Sequence, residues 1–134
     1  MNVAIIQLNA GQDKQQNINH ACTLVERAAG EGAGFILLPE VYNYRGLLSG
    51  KNLYNQIAED VPGESLTPLM EIAKKTKVNI LAGSIYERAE EENKVYNTSV
   101  VIDYSGSLIC KYRKINLFRA IIDGQEIDEA NTYE

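Results

Sequence analysis

The sequence is poor in cysteine and histidine, and this scarcity excludes several kinds of site. Its two cysteines, Cys22 and Cys110, lie far apart and lack the spacing of metal ligands. Neither a disulfide framework nor a zinc site is therefore predicted, and we expect two buried, reduced thiols. His20 is the only histidine, so no histidine-containing metal cluster and no Cys–His or Ser–His catalytic pair is expected. The sequence predicts neither a metal nor a cofactor.

Long apolar runs and an excess of basic charge are also absent. No segment reaches the roughly 18 apolar residues of a membrane-spanning helix, and the N-terminus lacks the basic region of a signal peptide. The 13 Lys and Arg residues are outnumbered by 18 Asp and Glu, for a net charge of −5. This balance argues against a nucleic-acid or anionic-membrane partner. We expect a cytoplasmic protein.

The apolar residues recur with the periods of strands and helices. With 45% hydrophobic and 23% charged residues among 134, the chain is typical of one globular domain or part of one. Buried strands are predicted over 3–8, 35–38, 78–84, 95–102 and 108–113, and helices over about 13–29 and 65–77. This β-α-β-α-β-β-β order predicts an α/β sheet covered by helices and followed by a hairpin. Residues 116–134 show no strong periodicity.

Two charged residues follow predicted strands. Glu40 comes after the second strand and Pro39, and Lys114 directly follows the strand that ends at Arg113. Ligands of open α/β sheets bind beyond the carboxyl ends of strands, so these side chains can converge although they are distant in sequence. Together they could supply a general base and a cation for an oxyanion. Taken alone the pairing is weak, because a glutamate after a strand is more often a solvated loop residue.

Three segments strengthen the pairing because they occur in one order. They are Leu37–Glu40 (LLPE), Val95–Asp103 (VYNTSVVID) and Lys111–Phe118 (KYRKINLF). Together they closely resemble the nitrilase superfamily of carbon–nitrogen hydrolases, over essentially the whole chain. The resemblance implies the N-terminal portion of a four-layer α-β-β-α sandwich, incomplete at its C-terminus. Residues 1–134 would then form a partial carbon–nitrogen hydrolase domain.

The resemblance also implies a Glu-Lys-Cys site for small linear amides or nitriles. Glu40 would be the general base and Lys114 would stabilise the tetrahedral intermediate. Glu129 is the best match for a second active-site glutamate, with Glu126 as its competitor. Residues 42–44 (Tyr-Asn-Tyr) either line the pocket or pack the loop after Glu40. The family resemblance further implies a homo-oligomer.

The chain departs from the family pattern at the nucleophile. The catalytic cysteine belongs after the second glutamate, in a strand-to-helix turn that we expect beyond Glu134. Cys22 lies on a helix face and Cys110 lies within a strand, so neither is expected to replace it. We therefore expect a hydrolase fragment that is inactive alone. The alternative is a catalytically inactive half-domain that acts in binding or assembly. The particular substrate and the oligomeric state stay open.

Overall fold

The computed structural model describes residues 1–46, 56–90, 94–122 and 125–131. Its helices are α1 (Lys14–Gly30) and α2 (Thr67–Thr76), and a 3-10 turn spans Glu129–Asn131. The strands are β1 (Val3–Ile5), β2 (Phe35–Leu37), β3 (Asn79–Leu81), β4 (Ile85–Arg88), β5 (Val95–Ile102), β6 (Leu108–Arg113), β7 (Arg119–Ile122) and β8 (Gln125–Asp128). No helix among these residues is long and apolar enough to cross a membrane.

Six of the strands form one mixed sheet around β5. Strands β1, β2 and β3 pair in parallel, and β3 pairs antiparallel with the end of β5. Thr98 of β5 is matched with Ile85 of β4 and with Arg113 of β6. Strands β3 and β4 therefore lie in succession along one edge of β5, and β6 occupies the other edge. Strands β7 and β8 form a separate two-stranded sheet.

Both helices begin at residues suited to a helix start, and they pack on the same face of the sheet. Helix α1 begins after Asp13, whose side chain accepts a hydrogen bond from the Gln16 N–H, the usual way to satisfy a free amide at a helix start. Helix α2 carries Pro68 in its first turn, where its missing N–H does no harm. The two helices share one core cluster with the inward face of the sheet.

The register of the sheet separates a covered face from an uncovered one. The row that faces the helices is apolar and consists of Ala4, Ile36, Ile80, Ile102 and Leu108. The next row points the opposite way and consists of Ile5, Leu37, Leu81, Val101 and Cys110. Ile5 of this second row is 81% exposed. Within the described residues, this second face of the sheet is not covered.

The predicted α/β class is confirmed, and the structure differs from the predicted elements in two places. The strand expected over 78–84 is shorter and covers only Asn79–Leu81, and the unpredicted strand β4 begins beyond it at Ile85. Residues 116–134, which show no strong periodicity in sequence, contain the β7–β8 hairpin. The hairpin shows no core period because Ile121 is 77% exposed and Arg119 pairs with Glu126 instead of packing inward.

The expected burial of both thiols is wrong. Cys110 is exposed and Cys22 is half-buried. Successive residues of β6 point to opposite faces of the sheet, and Cys110 points to the uncovered one. Its apolar neighbours in sequence therefore did not imply that it is buried.

Candidate active site

Glu40 lies in a tight turn directly after β2. The next residue, Val41, has a φ of +50°, a left-handed conformation that a β-branched residue rarely adopts. Ser84 holds this turn, because its Oγ accepts a hydrogen bond from the Val41 N–H at 2.9 Å. The Tyr42 N–H also donates to the Ser84 carbonyl at 3.2 Å. Strained backbone at such a place persists only where the surroundings determine it.

A glycine makes this close approach between the two chain segments possible. Gly83 has a φ of +48°, and a Cβ atom built there would lie 1.9 Å from the carbonyl oxygen of Pro39. No other residue fits without movement of the backbone. The segment between β3 and β4, which contains Gly83 and Ser84, therefore packs closely against the turn that carries Glu40.

Lys114 reaches Glu40 from the end of β6. Its backbone N–H donates to the Asn97 carbonyl at 2.9 Å and so extends the pairing of β5 and β6 by one residue. Its Nζ lies 3.1 Å from Glu40 Oε1 and 2.9 Å from Glu129 Oε2. The structure thus brings together two residues that are 74 positions apart in sequence.

The hairpin places Glu129, and not Glu126, beside Lys114. The Glu129 N–H donates to the Phe118 carbonyl at 2.9 Å, and Glu129 Oε2 accepts from the Phe118 N–H at 2.7 Å. Glu126 instead forms an ion pair with the exposed Arg119. Of the two glutamates that the sequence left open, only Glu129 contacts the lysine. The catalytic roles of Glu40, Lys114 and Glu129 stay predictions.

The contacts between these groups keep them charged. Burial alone would raise the pKa of Glu40, but hydrogen bonds from Lys114 and Asn97 outweigh it and lower that pKa. Burial alone would lower the pKa of Lys114, but hydrogen bonds to Glu129 and Glu40 outweigh it and raise that pKa. At neutral pH Lys114 is therefore an ammonium ion and Glu40 is a carboxylate.

Asn97 is a site residue that sequence reasoning did not single out. Its side chain, in a residue only 4% exposed, donates from Nδ2 to Glu40 Oε1 at 2.8 Å. The one available signal was an amide side chain within the otherwise apolar and hydroxylic strand Val95–Ile102. Buried amides need partners, but the sequence does not say which partner.

A cavity of about 310 Å³ opens beside these groups. Glu40, Asn97 and Lys114 line it together with Ser99 and Tyr112. This volume lies at the lower end of the range of small-molecule sites. Glu40 also borders a second cavity of about 310 Å³, together with Arg45.

The residues over 42–44 mainly pack the loop. Tyr42 is fully buried and donates its hydroxyl hydrogen bond to the Ser65 carbonyl at 2.7 Å, although it also borders the second cavity. Asn43 is fully buried, and Tyr44 packs edge-on against Tyr86. The later part of the loop predicted over 39–54, residues 47–54, lies outside the described residues.

Neither cysteine lines the cavity beside Lys114. Burial and the nearby Glu26 raise the pKa of Cys22 to about 11, which keeps its thiol protonated and unreactive. Among the residues that the structure describes, no cluster of His, Cys, Asp and Glu could hold a metal ion.

Known proteins of one family are similar to this chain. The family model described as carbon-nitrogen hydrolase matches residues 2–134. The mouse protein named omega-amidase NIT2 is 40% identical over 123 residues, which are 92% of this chain and 43% of that protein. The human omega-amidase NIT2 is 38% identical over the same shares of both chains. This chain thus spans less than half the length of these relatives.

Two solved structures share the fold. Nit3 of Saccharomyces cerevisiae, a member of branch 10 of the nitrilase superfamily, matches with a TM-score of 0.71 and 31% identity. That match covers 86% of this chain and 44% of Nit3. The NitFhit protein of C. elegans matches with a TM-score of 0.82 and 24% identity, over 98% of this chain and 32% of that one.

Proposed function

We infer the function from the premise that this chain belongs to the carbon–nitrogen hydrolase family. We propose that it supplies the general base and the cation of an enzyme that hydrolyses small linear amides. The observation that carries the proposal is the contact of Lys114 Nζ with Glu40 Oε1 and Glu129 Oε2 beside an open cavity. The name omega-amidase, given to the mouse and human relatives, favours amides over nitriles.

The proposed reaction uses the charges that the site already holds. A cysteine thiol, with a pKa of about 8.5, is mostly protonated at neutral pH. Glu40 takes its proton as sulfur attacks the amide carbon, and the Lys114 ammonium stabilises the resulting oxyanion. Glu40 then returns the proton to the amine nitrogen, and ammonia leaves a thioester. Glu40 finally takes a proton from the water that attacks the thioester and returns it to the departing sulfur, which gives the carboxylic acid and the free thiol.

Glu129 is proposed to hold Lys114 in place. Its Oε2 accepts from both the Lys114 ammonium and the Phe118 N–H, so the carboxylate is itself fixed by backbone. A fixed ammonium stabilises the charged intermediate without having to reorient during the reaction.

We propose that the nucleophile comes from polypeptide beyond residue 134, since neither cysteine of this chain lines the cavity. The uncovered sheet face that carries Ile5, Leu37 and Cys110 would then pack against the second sheet of a four-layer α-β-β-α sandwich. Burial of exposed apolar side chains such as Ile5 favours this packing. We also propose that the complete subunit forms a homo-oligomer.

The test starts by reading the gene through codon 134 and expressing its whole open reading frame. Ammonia release from propionamide and from the monoamide of succinic acid is then measured. We expect Glu40→Gln and Lys114→Ala to lower kcat by about a hundredfold or more, and the 134-residue chain alone to release no ammonia above background. A reading frame without a cysteine in a strand-to-helix turn would instead favour a catalytically inactive half-domain.

Glu126 provides a matched control for Glu129. Both residues lie on the same hairpin, but only Glu129 contacts Lys114. We expect Glu129→Gln to lower kcat and Glu126→Gln to leave it within about twofold of the wild type, since the Glu126 ion pair is exposed. Equal losses in both variants would contradict the assigned site.

A further inference from the structure

Asn97 is hydrogen-bonded to the carboxylate of Glu40 and to the backbone of Lys114, the two residues on which the proposed function depends. Its side-chain amide donates to Glu40 Oε1 at 2.8 Å, and its backbone carbonyl accepts from the Lys114 N–H at 2.9 Å. Asn97 is only 4% exposed and lies within β5, a strand paired along both edges. A rigid strand thus fixes the position of this amide.

The two oxygens of the Glu40 carboxylate have different surroundings. Oε1 accepts from Asn97 Nδ2 and from Lys114 Nζ. Within the described parts of the chain, no donor is bonded to Oε2. One oxygen is therefore occupied twice, and the other is left for a reacting group.

Because the partner of Oε1 is an amide, the difference between the two Glu40 oxygens does not change with pH. An asparagine N–H₂ group donates at every pH and has no lone pair available to accept a proton from the acid. A proton on Oε1 would face two donors, so protonation is directed to Oε2. Lys114 alone would not secure this arrangement, because its ammonium is shared between Glu40 and Glu129.

We propose that Asn97 is a positioning residue that holds Glu40 through Oε1, so that Oε2 is the oxygen that takes and returns the proton. The inference rests on the proposed amide hydrolysis, in which Glu40 is the base. The proton passes from the thiol to Oε2 and from Oε2 to the departing amine, and Asn97 itself neither gains nor loses one.

The adjacent residue of β5 supplies a matched control. Successive strand residues point to opposite faces, and Thr98 accordingly hydrogen-bonds Glu87 on the other side of the sheet. Thr98→Val therefore removes one hydrogen bond to a carboxylate from the same strand without touching Glu40. Any general loosening of β5 would affect both glutamates.

The experiment follows the carboxyl carbon of Glu40 by NMR through a pH titration of the 134-residue chain, with the signal assigned from Glu40→Gln. We expect Asn97→Leu to raise the pKa of Glu40 by about half a unit to one unit, since a donor to the charged form is lost. Asn97→Asp should raise it further, because a second carboxylate is then adjacent. Thr98→Val should raise the pKa of Glu87 and leave that of Glu40 unchanged.

An unchanged Glu40 titration in Asn97→Leu would overturn the inference, as would an equal shift in Thr98→Val. If Asn97→Leu does not fold, Asn97→Asp, which keeps the size of the side chain, gives the same comparison. In the whole enzyme, Asn97→Leu should move the acid limb of kcat/KM to higher pH, which a purely structural defect would not do.

The NMR result does not depend on catalysis. If the whole protein hydrolyses no amide, the proposed function fails while the Asn97–Glu40 coupling is still measured. If Glu40 does not respond to Asn97, the amidase proposal stands on Glu40 and Lys114.

Discussion

The buried carboxylate of Glu87 is expected to be a main source of stability at neutral pH. Glu87 lies in β4 and is 5% exposed, yet both its oxygens are bonded. Oε1 accepts from Lys111 at 2.9 Å and from Arg113 at 2.8 Å, and Oε2 accepts from Arg113 at 3.0 Å and from Thr98. Replacing Glu87 by the isosteric Gln keeps the volume but leaves these donors without their anion.

The magnitude follows from the titration of this group. Burial alone would raise the pKa of Glu87, but the hydrogen bonds from Arg113, Thr98 and Lys111 lower it from 4.5 to about 2. A shift of this size corresponds to roughly 3 kcal/mol between the folded and unfolded states. The Lys111 and Arg113 side chains are 40% and 44% exposed, so solvent screening reduces the expected loss in Glu87→Gln to about 2 kcal/mol.

The direction of the pKa shift of Glu87 determines how its contribution to stability changes with pH. Because the pKa is lower in the folded state, the stabilisation is fully present above about pH 4.5 and is lost as the pH falls towards 2. Urea unfolding followed by circular dichroism should show a constant gap between wild type and Glu87→Gln from pH 7 to pH 5. The gap should then close as the pH approaches 2.

A surface ion pair serves as the control for Glu87. Glu31→Gln removes the pair with Arg27, whose two side chains are 66% and 73% exposed, and should change the free energy of unfolding by less than about 0.5 kcal/mol. The reasoning would be refuted if Glu87→Gln cost no more than this control at pH 7, or if its cost did not change down to pH 2.

Two other features of the fold lead to predictions. Gly83→Ala should lower the free energy of unfolding by at least about 2 kcal/mol, because a Cβ there meets the Pro39 carbonyl oxygen at a positive φ. Gly11→Ala, which meets nothing within 4 Å, should cost less than about 0.5 kcal/mol by the same urea titration, and equal losses would contradict the steric argument. With the disulfide reagent DTNB at neutral pH, the exposed Cys110 should react rapidly and Cys22, with its pKa of about 11, slowly. Cys110→Ser should remove the fast phase, and its persistence would show that Cys22 is accessible.

The break between β3 and β4 could not be predicted from the local sequence. Residues 78–84 are apolar enough to predict one strand, but the strand ends at Leu81. The interruption exists because the turn at Val41 occupies the adjacent space, which is a contact between segments more than 40 residues apart. A pattern within one segment carries no information about such a neighbour.

The candidate site also has one part that the sequence indicated and one part that only the structure decided. The positions of Glu40 and Lys114 after strands allowed them to converge, and the segments around them that resemble one family strengthened the pairing. The choice of Glu129 over Glu126 depended on the hairpin, whose backbone bonds with Phe118 turn one glutamate to Lys114 and leave the other with Arg119. Two acids three residues apart do not differ enough in sequence to decide this.

The sequence by itself determined the α/β class, the two helices and the β5–β6 hairpin. These depend on local periodicity, capping residues and strand ends, all of which are written in short segments. Only the tertiary structure decided which oxygen of Glu40 is occupied, that Asn97 occupies it, and that Cys110 points to an uncovered face. Those outcomes depend on the register between strands and on contacts across the sheet. Both involve residues that are far apart in sequence, so patterns within one segment do not predict them.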